Sequence, residues 1–457
     1  MNKEIWVELR HKIATEKINF RNIIYFSGYD YIMFDIAEKI QKYGYYTYDG
    51  RFEDAVIDFL LVTLKNPEIP LDIEQYASQI SMKMKRYITH NMILVPLNHL
   101  NTKFLPDVLN LDVDRKIAIF NVSEARIDKH ETTPLEVFFA KNTRCNLNKQ
   151  HIFLVKDRSF FNYPILAIAI EHIDYRVQHE APRIIEAAYS FLRMLDFSCG
   201  DEPNNNGCGV RRRDGRREAS TYVVYNKDPD SNQNNLSEGN LGYSYRFKFA
   251  PNLDVNTVAF INDPKPFTRL LAQAIDVAFM NPIDTDENEL KKYNKWLNAV
   301  ILFNTAYEFA SVAKYDSALL LLVVILESLF LKSKDETENS KNENNKKSRL
   351  SNRVSAFLSD DTRFTSVDIK SIISQVYDYR NTFIHEGFGL ERQQTFWGLN
   401  DDEGSMRGQK PFKHGMFLKM SENEYHNFLM AIKIVIAILT KNFSCLPDTK
   451  NYPVKGK

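Results

Sequence analysis

Apolar residues recur at helical spacing in Tyr31–Tyr43, Phe52–Lys65 and Leu71–Tyr87, and each window predicts an amphipathic helix. Asn91–Leu97 and Lys116–Val122 are short β-like runs and predict strands. Two more strand candidates, His151–Lys156 and Ile165–Ile170, precede an amphipathic helix that ends near Phe197. Pro182 suits the first turn of that helix, where a missing N–H is tolerated. From Ser198 to about Asn240 the pattern collapses into Asn, Gly, Asp and Arg, broken by a strand candidate at Tyr222–Tyr225. Aromatic alternation then resumes in Tyr243, Tyr245, Phe247 and Phe249, giving a loop-rich hairpin region on a small sheet. Residues 1–285 are therefore read as an α+β region, divisible at about 125 into two subdomains.

After Pro282 the chain turns to long helices, so a domain boundary is placed near residue 285. Trp296, Val300, Phe303, Tyr307 and Ala310 keep helical spacing in a segment that begins at Asp286, and Asp316–Leu331 predicts a second helix. Ser333–Lys347 is almost wholly Lys, Glu, Asp, Asn and Ser, too polar to pack, and is read as a disordered interhelical loop. Helices at about Arg349–Leu358 and Ser366–His385, an irregular stretch to Met420 and a closing helix at Ser421–Lys441 complete an all-α bundle of five helices. The longest apolar run, Ala318–Leu326, is stopped by Glu327, well short of the roughly 20 residues a membrane span needs. It reads as a buried helix, and no membrane partner is expected.

Composition narrows the functional classes only slightly. A chain of 457 residues has room for two or three domains. Its 59 Lys plus Arg balance 59 Asp plus Glu, so any attraction to nucleic acid must come from local patches. The cysteines, Cys145, Cys199, Cys208 and Cys445, form no CxxC pair and show no zinc-ligand spacing. With no signal-peptide pattern in Met1–Arg10, a cytoplasmic protein without metal or other cofactor is expected. Residues 1–285 carry no GxGxxG, P-loop, HExxH or nucleophile-elbow motif.

The informative segment is Gln375–Gly389, QVYDYRNTFIHEGFG, in which Val376, Tyr379, Phe383 and Ile384 are read as a buried helical stripe. Arg380 and His385 lie five residues apart, so an ideal helix sets them about 140° apart, and they need a second surface or a distorted helix end to act together. Gly387 suits a helix stop, which places His385 in the last turn, where the helix dipole favours its protonated form. Such a histidine moves a proton, and a permanently cationic guanidinium steadies charge on phosphate oxygens. Together they fit RNA cleavage by the 2′-hydroxyl, which needs neither a protein nucleophile nor a metal. Asn381 is a candidate for orienting His385 or the phosphate.

The order of an apolar helix with a central acid (ALLLLVVILESLF, with Glu327), a variable loop, a third helix and YDYRNTFIHEG resembles the HEPN superfamily, especially its ApeA-like branch. The resemblance covers roughly residues 286–441 and rests on Arg380, Asn381 and His385, with Tyr377 and Asp378 before them and Gly387 after. It departs at Glu386, where several relatives have glycine directly after the histidine. Residues 1–285 match no family in this reading and are assigned to sensing a trigger ligand or protein. The resemblance implies a homodimer that joins two Arg-x4-His motifs into one composite endoribonuclease site, in a toxin or antiphage defence effector. Glu327, Asp378 and Tyr377 are then supporting residues, Glu327 either as a partner for Arg380 or His385 or as a helix-edge carboxylate paired for packing, and Tyr377, like Tyr379, read first as a core aromatic. The alternative for the motif is a non-catalytic RNA- or protein-binding module, or a solvated helix face with one salt bridge.

Arginine–histidine spacing alone is unspecific, since Arg144 and His151 offer a second match. For RNA phosphates the candidate contacts are the run Arg211, Arg212, Arg213, Arg216 and Arg217, with Lys346 and Lys347 near the bundle. A solvated loop explains either cluster as well. Phe388, Phe396, Trp397 and Phe412 are candidates for base stacking or for anchoring their own loop.

Overall fold

The computed structural model describes residues 3–15, 18, 22–40, 50–66, 68, 70–84, 88–97, 100, 105–112, 114, 116–121, 133–143, 160, 163–199, 221–227, 234–240, 260–280, 286–311, 315–331, 343–386, 393–394, 418–419 and 422–441. It has an α+β arrangement followed by helices. Helices α1 (Lys3–Ala14), α2 (Tyr29–Ile40), α3 (Gly50–Thr63) and α4 (Ile73–Met84) come first. Trp6, Ile36, Phe52, Leu60, Tyr76 and Ile80 close a core among these four helices.

A six-stranded antiparallel sheet follows, ordered β2-β3-β4-β1-β5-β6. Its strands are β1 (Ile88–Pro96), β2 (Val108–Asp112), β3 (Ile117–Phe120), β4 (Ile165–Ile173), β5 (Thr221–Lys227) and β6 (Asn234–Asn240). In β1 and β4 the side chains alternate between two covered faces, so Met92–Val95 and Ile165–Ile170 read as continuous apolar runs. Ile93, Val95, Leu166 and Ile168 face α6 (Asp174–Cys199), and Met92, Leu94, Ile165 and Ala167 face α5 (Pro134–Thr143). Helix α5 opens on a capping box, in which the Thr133 hydroxyl accepts from the Glu136 N–H at 3.3 Å and the Glu136 carboxylate accepts from the Thr133 N–H.

Helix α7 (Lys265–Ala278) precedes the bundle of α8 (Glu287–Ser311), α9 (Tyr315–Phe330), α10 (Glu343–Phe357), α11 (Ser366–Glu386) and α12 (Glu422–Thr440). A two-residue pairing of β7 (Gln393–Gln394) with β8 (Leu418–Lys419) lies between α11 and α12 in the chain. Central α9 touches the other four bundle helices, which is why it is apolar nearly all round. Among the described residues, no helix is long and apolar enough to cross a membrane.

Three expectations are corrected. Pro182 lies inside α6, because the helix begins at Asp174 directly after β4, eight residues earlier than the proline rule indicates. The backbone of residues 343–347 forms the first turns of α10 and no part of a loop, and the apolar contacts of that helix come later, at Leu350 and Val354. The buried stripe of α11 is Ile369, Ile372, Ile373, Val376 and Tyr377, while Ile384 is 46 % exposed and Tyr379 only partly covered. The strand candidate 151–156 and the aromatic run 243–249 lie outside the described residues; β6 pairs with β5 along its whole length.

Candidate functional site

Helix α11 is set by an N-cap. The Thr365 hydroxyl accepts from the Asp368 N–H at 3.1 Å and donates to the Asp368 carboxylate at 2.6 Å. From there the buried positions run 369, 372, 373, 376 and 377, and the next place on that face falls to Arg380. A cation at the end of an apolar stripe is held by polar neighbours. The Arg380 Nη1 donates to the Asn381 side-chain oxygen at 2.9 Å, and the guanidinium carbon lies 5.7 Å from the centre of the Tyr377 ring. Its Nη2 stands 3.8 Å from the Glu327 carboxylate of α9, with both side chains 23 % exposed. The Arg380 Nε is buried and has no hydrogen-bond partner among the described residues.

The backbone of His385 is the penultimate residue of α11, so Arg380 and His385 share one helix, with the histidine in its last described turn. The His385 side chain and Gly387 lie outside the described residues. Asp378 points elsewhere from Arg380: it is 56 % exposed and receives the Lys347 ammonium of α10 at 2.9 and 3.0 Å. Lys347, proposed from sequence for RNA, is thus engaged by Asp378, and Lys346 precedes it half-buried on α10. Arg211, Arg212, Arg213, Arg216 and Arg217, the second pair Arg144 and His151, and the four loop aromatics lie outside the described residues.

Sequence reasoning missed the residues that steady α11. Gln375 accepts a hydrogen bond from Asn427 of α12. The signal available for Arg380 was the 3–4 spacing from Ile369, which carries the stripe straight to it. Val324, one turn before Glu327, and Ile384, one turn after Arg380, are apolar and exposed at 37 % and 46 %. No group of three or more His, Cys, Asp or Glu among the described residues stands together as a metal set. No protein-family model, curated protein or solved structure matches this chain.

Proposed function

We propose that the C-terminal bundle is a metal-independent endoribonuclease of HEPN type. In this reading two copies of the chain meet through the bundle, and Arg380 and His385 of each contribute to a composite site. The observation that carries it is the presentation of Arg380, steered by Glu327, Asn381 and Tyr377 yet partly open to solvent, on the helix whose last described turn holds His385. Exposed Val324 and Ile384 give a second copy apolar surface to cover around that pair. The RNA 2′-hydroxyl attacks phosphorus and the 5′-oxygen leaves, with His385 moving the proton and Arg380 steadying charge on the non-bridging oxygens. Residues 1–285 serve as the sensor for a trigger ligand or protein, and the whole acts as a toxin or antiphage defence effector.

The test is incubation of the full chain with labelled single-stranded RNA. The expected products end in 2′,3′-cyclic phosphate and form unchanged in EDTA. His385→Ala is expected to slow cleavage by roughly 10²–10⁴-fold, as loss of a general acid–base does, with circular dichroism unchanged. Full cleavage by a folded His385→Ala chain sinks the proposal. In a second reading the bundle is a HEPN module that binds without cutting, and Glu327, Asn381 and Tyr377 hold Arg380 for binding alone. RNA held and returned uncut by the native chain would favour it.

A further inference from the structure

We infer that Glu327 is a resident counter-ion that occupies Arg380 in the free protein and is displaced by an RNA phosphate. The inference rests on the ribonuclease reading of Arg380 and adds how that site is kept closed to other anions. A guanidinium offers five N–H donors in a fixed fork. Asn381 takes one on Nη1, and the Nε donor is buried. Among the described residues, the Nη2 edge meets the Glu327 carboxylate at 3.8 Å, beyond the 2.7–2.9 Å of a charge-assisted hydrogen bond. Glu327 therefore neutralises Arg380 by charge while leaving its Nη2 donors without close geometry. A phosphate oxygen that reaches hydrogen-bond distance gains what the carboxylate does not make, and the partial exposure of both side chains gives it a way in. The same carboxylate repels any anion that cannot also secure neighbouring contacts along an RNA strand. Glu327 thus works as a specificity residue, raising the threshold for anions that touch Arg380 alone.

The test uses the full chain carrying His385→Ala, so that labelled single-stranded RNA stays intact while its affinity is read by fluorescence anisotropy. Adding Glu327→Gln, close in shape and without charge, is expected to tighten RNA binding roughly twofold to tenfold, the scale of a partly exposed ion pair. It is also expected to let inorganic phosphate compete at lower concentration. Glu327→Asp keeps the charge and is expected to bind RNA as the parent does. The gain from Glu327→Gln should disappear when Arg380→Ala is present, because Glu327 acts through that guanidinium. Unchanged or weaker binding by Glu327→Gln overturns the inference, and so does a gain that persists without Arg380, which marks a general charge effect. The underlying reading fails separately: there Arg380→Ala alone leaves RNA affinity and, with His385 restored, cleavage untouched.

Discussion

Arg380 stands where the apolar repeat of α11 would place a side chain without charge, and this explains both its visibility and the misreading around it. The segment YDYRNTFIHEG marks Arg380 and His385 by residue type; of the stripe expected there, Val376 is buried, Tyr379 is partly covered and Ile384 is exposed, and Ile369, Ile372, Ile373 and Tyr377 complete the face that packs. Tyr377, fully covered, belongs to both the core and the site, since its ring lies beneath the guanidinium. Spacing along one helix cannot reveal that Asp378 turns to Lys347, because that contact depends on how α10 is laid beside α11. A second buried charge shows the same limit. Arg193 of α6 donates to Glu308 of α8 at 3.0 Å and also to the Asn304 carbonyl at 3.1 Å. Burial pushes the Glu308 carboxyl above its ordinary range, further than Arg193 draws it down, and Glu186 adds to the rise. A carboxyl raised in the folded chain supplies its stability below the unfolded-state pKa and loses it as pH climbs through the folded one. Glu308→Gln keeps an acceptor and discards the charge. It is expected to raise Tm at pH 7 by roughly 1–3 °C, an advantage that closes below the ordinary value of 4.5. A lower Tm at pH 7, read by differential scanning calorimetry, would mean that the Arg193 pair outweighs the cost of burial.

At the scale of elements, most long periodic segments are legible in the sequence and the short or irregular ones are not, but α7 went unread although Phe267, Leu270, Leu271, Ala274 and Val277 repeat at helical spacing. Helices α2, α3, α4, α8, α9, α11 and α12 repeat apolar residues over three or more turns, and all were placed within a few residues. Helix α1 escaped notice because its surface is charged, including a Glu8–Lys12 pair at 2.7 Å, and only Trp6, Leu9 and Ile13 mark its inner side. Strand β6, NNLSEGN, has almost no apolar signal because only its pairing with β5 makes it a strand. Pro182 misled because a proline that opens a helix and one tolerated inside it look alike without the preceding strand. Caps are the more dependable local signal, and the one on α11 bears on the site. Thr365→Ala removes the acceptor for the Asp368 N–H and is expected to cost about 1 kcal/mol. Tm should then fall by a few degrees while RNA cleavage at 25 °C stays near the parent rate. A large loss of cleavage in a chain that still melts normally would place this end of α11 in the chemistry.

For the molecule as a whole, the boundary drawn near residue 285 by composition does not coincide with a break in the apolar core. One continuous cluster runs from the strands through α6 and α7 into α8, α9, α11 and α12. Its seam lies between α6 and α8. Arg183 donates to Asn294 at 3.2 Å, the Ser190 hydroxyl to the Val300 carbonyl at 2.8 Å, and Arg193 to Asn304 and Glu308. The partners rise in the same order on both helices, so the two run parallel, and Phe191 lies 6.2 Å from Trp296 between ring centres. Composition marks where long helices begin, whereas cooperativity follows which apolar faces are covered, and α8 is covered on one side by α6. Residues 286–457 expressed alone would bare that side, including part of Trp296, and each large apolar side chain exposed forgoes roughly 1.5–3 kcal/mol. The fragment is therefore expected to aggregate or to melt well below the full chain and to bind a hydrophobic dye. It should regain stability when residues 174–199 are restored together with the sheet that supports them. A soluble fragment that unfolds in one transition at the Tm of the full chain would show that the seam is a contact between independent units. It would also free the proposed nuclease from dependence on the sheet, removing the most direct route by which residues 1–285 could govern Arg380.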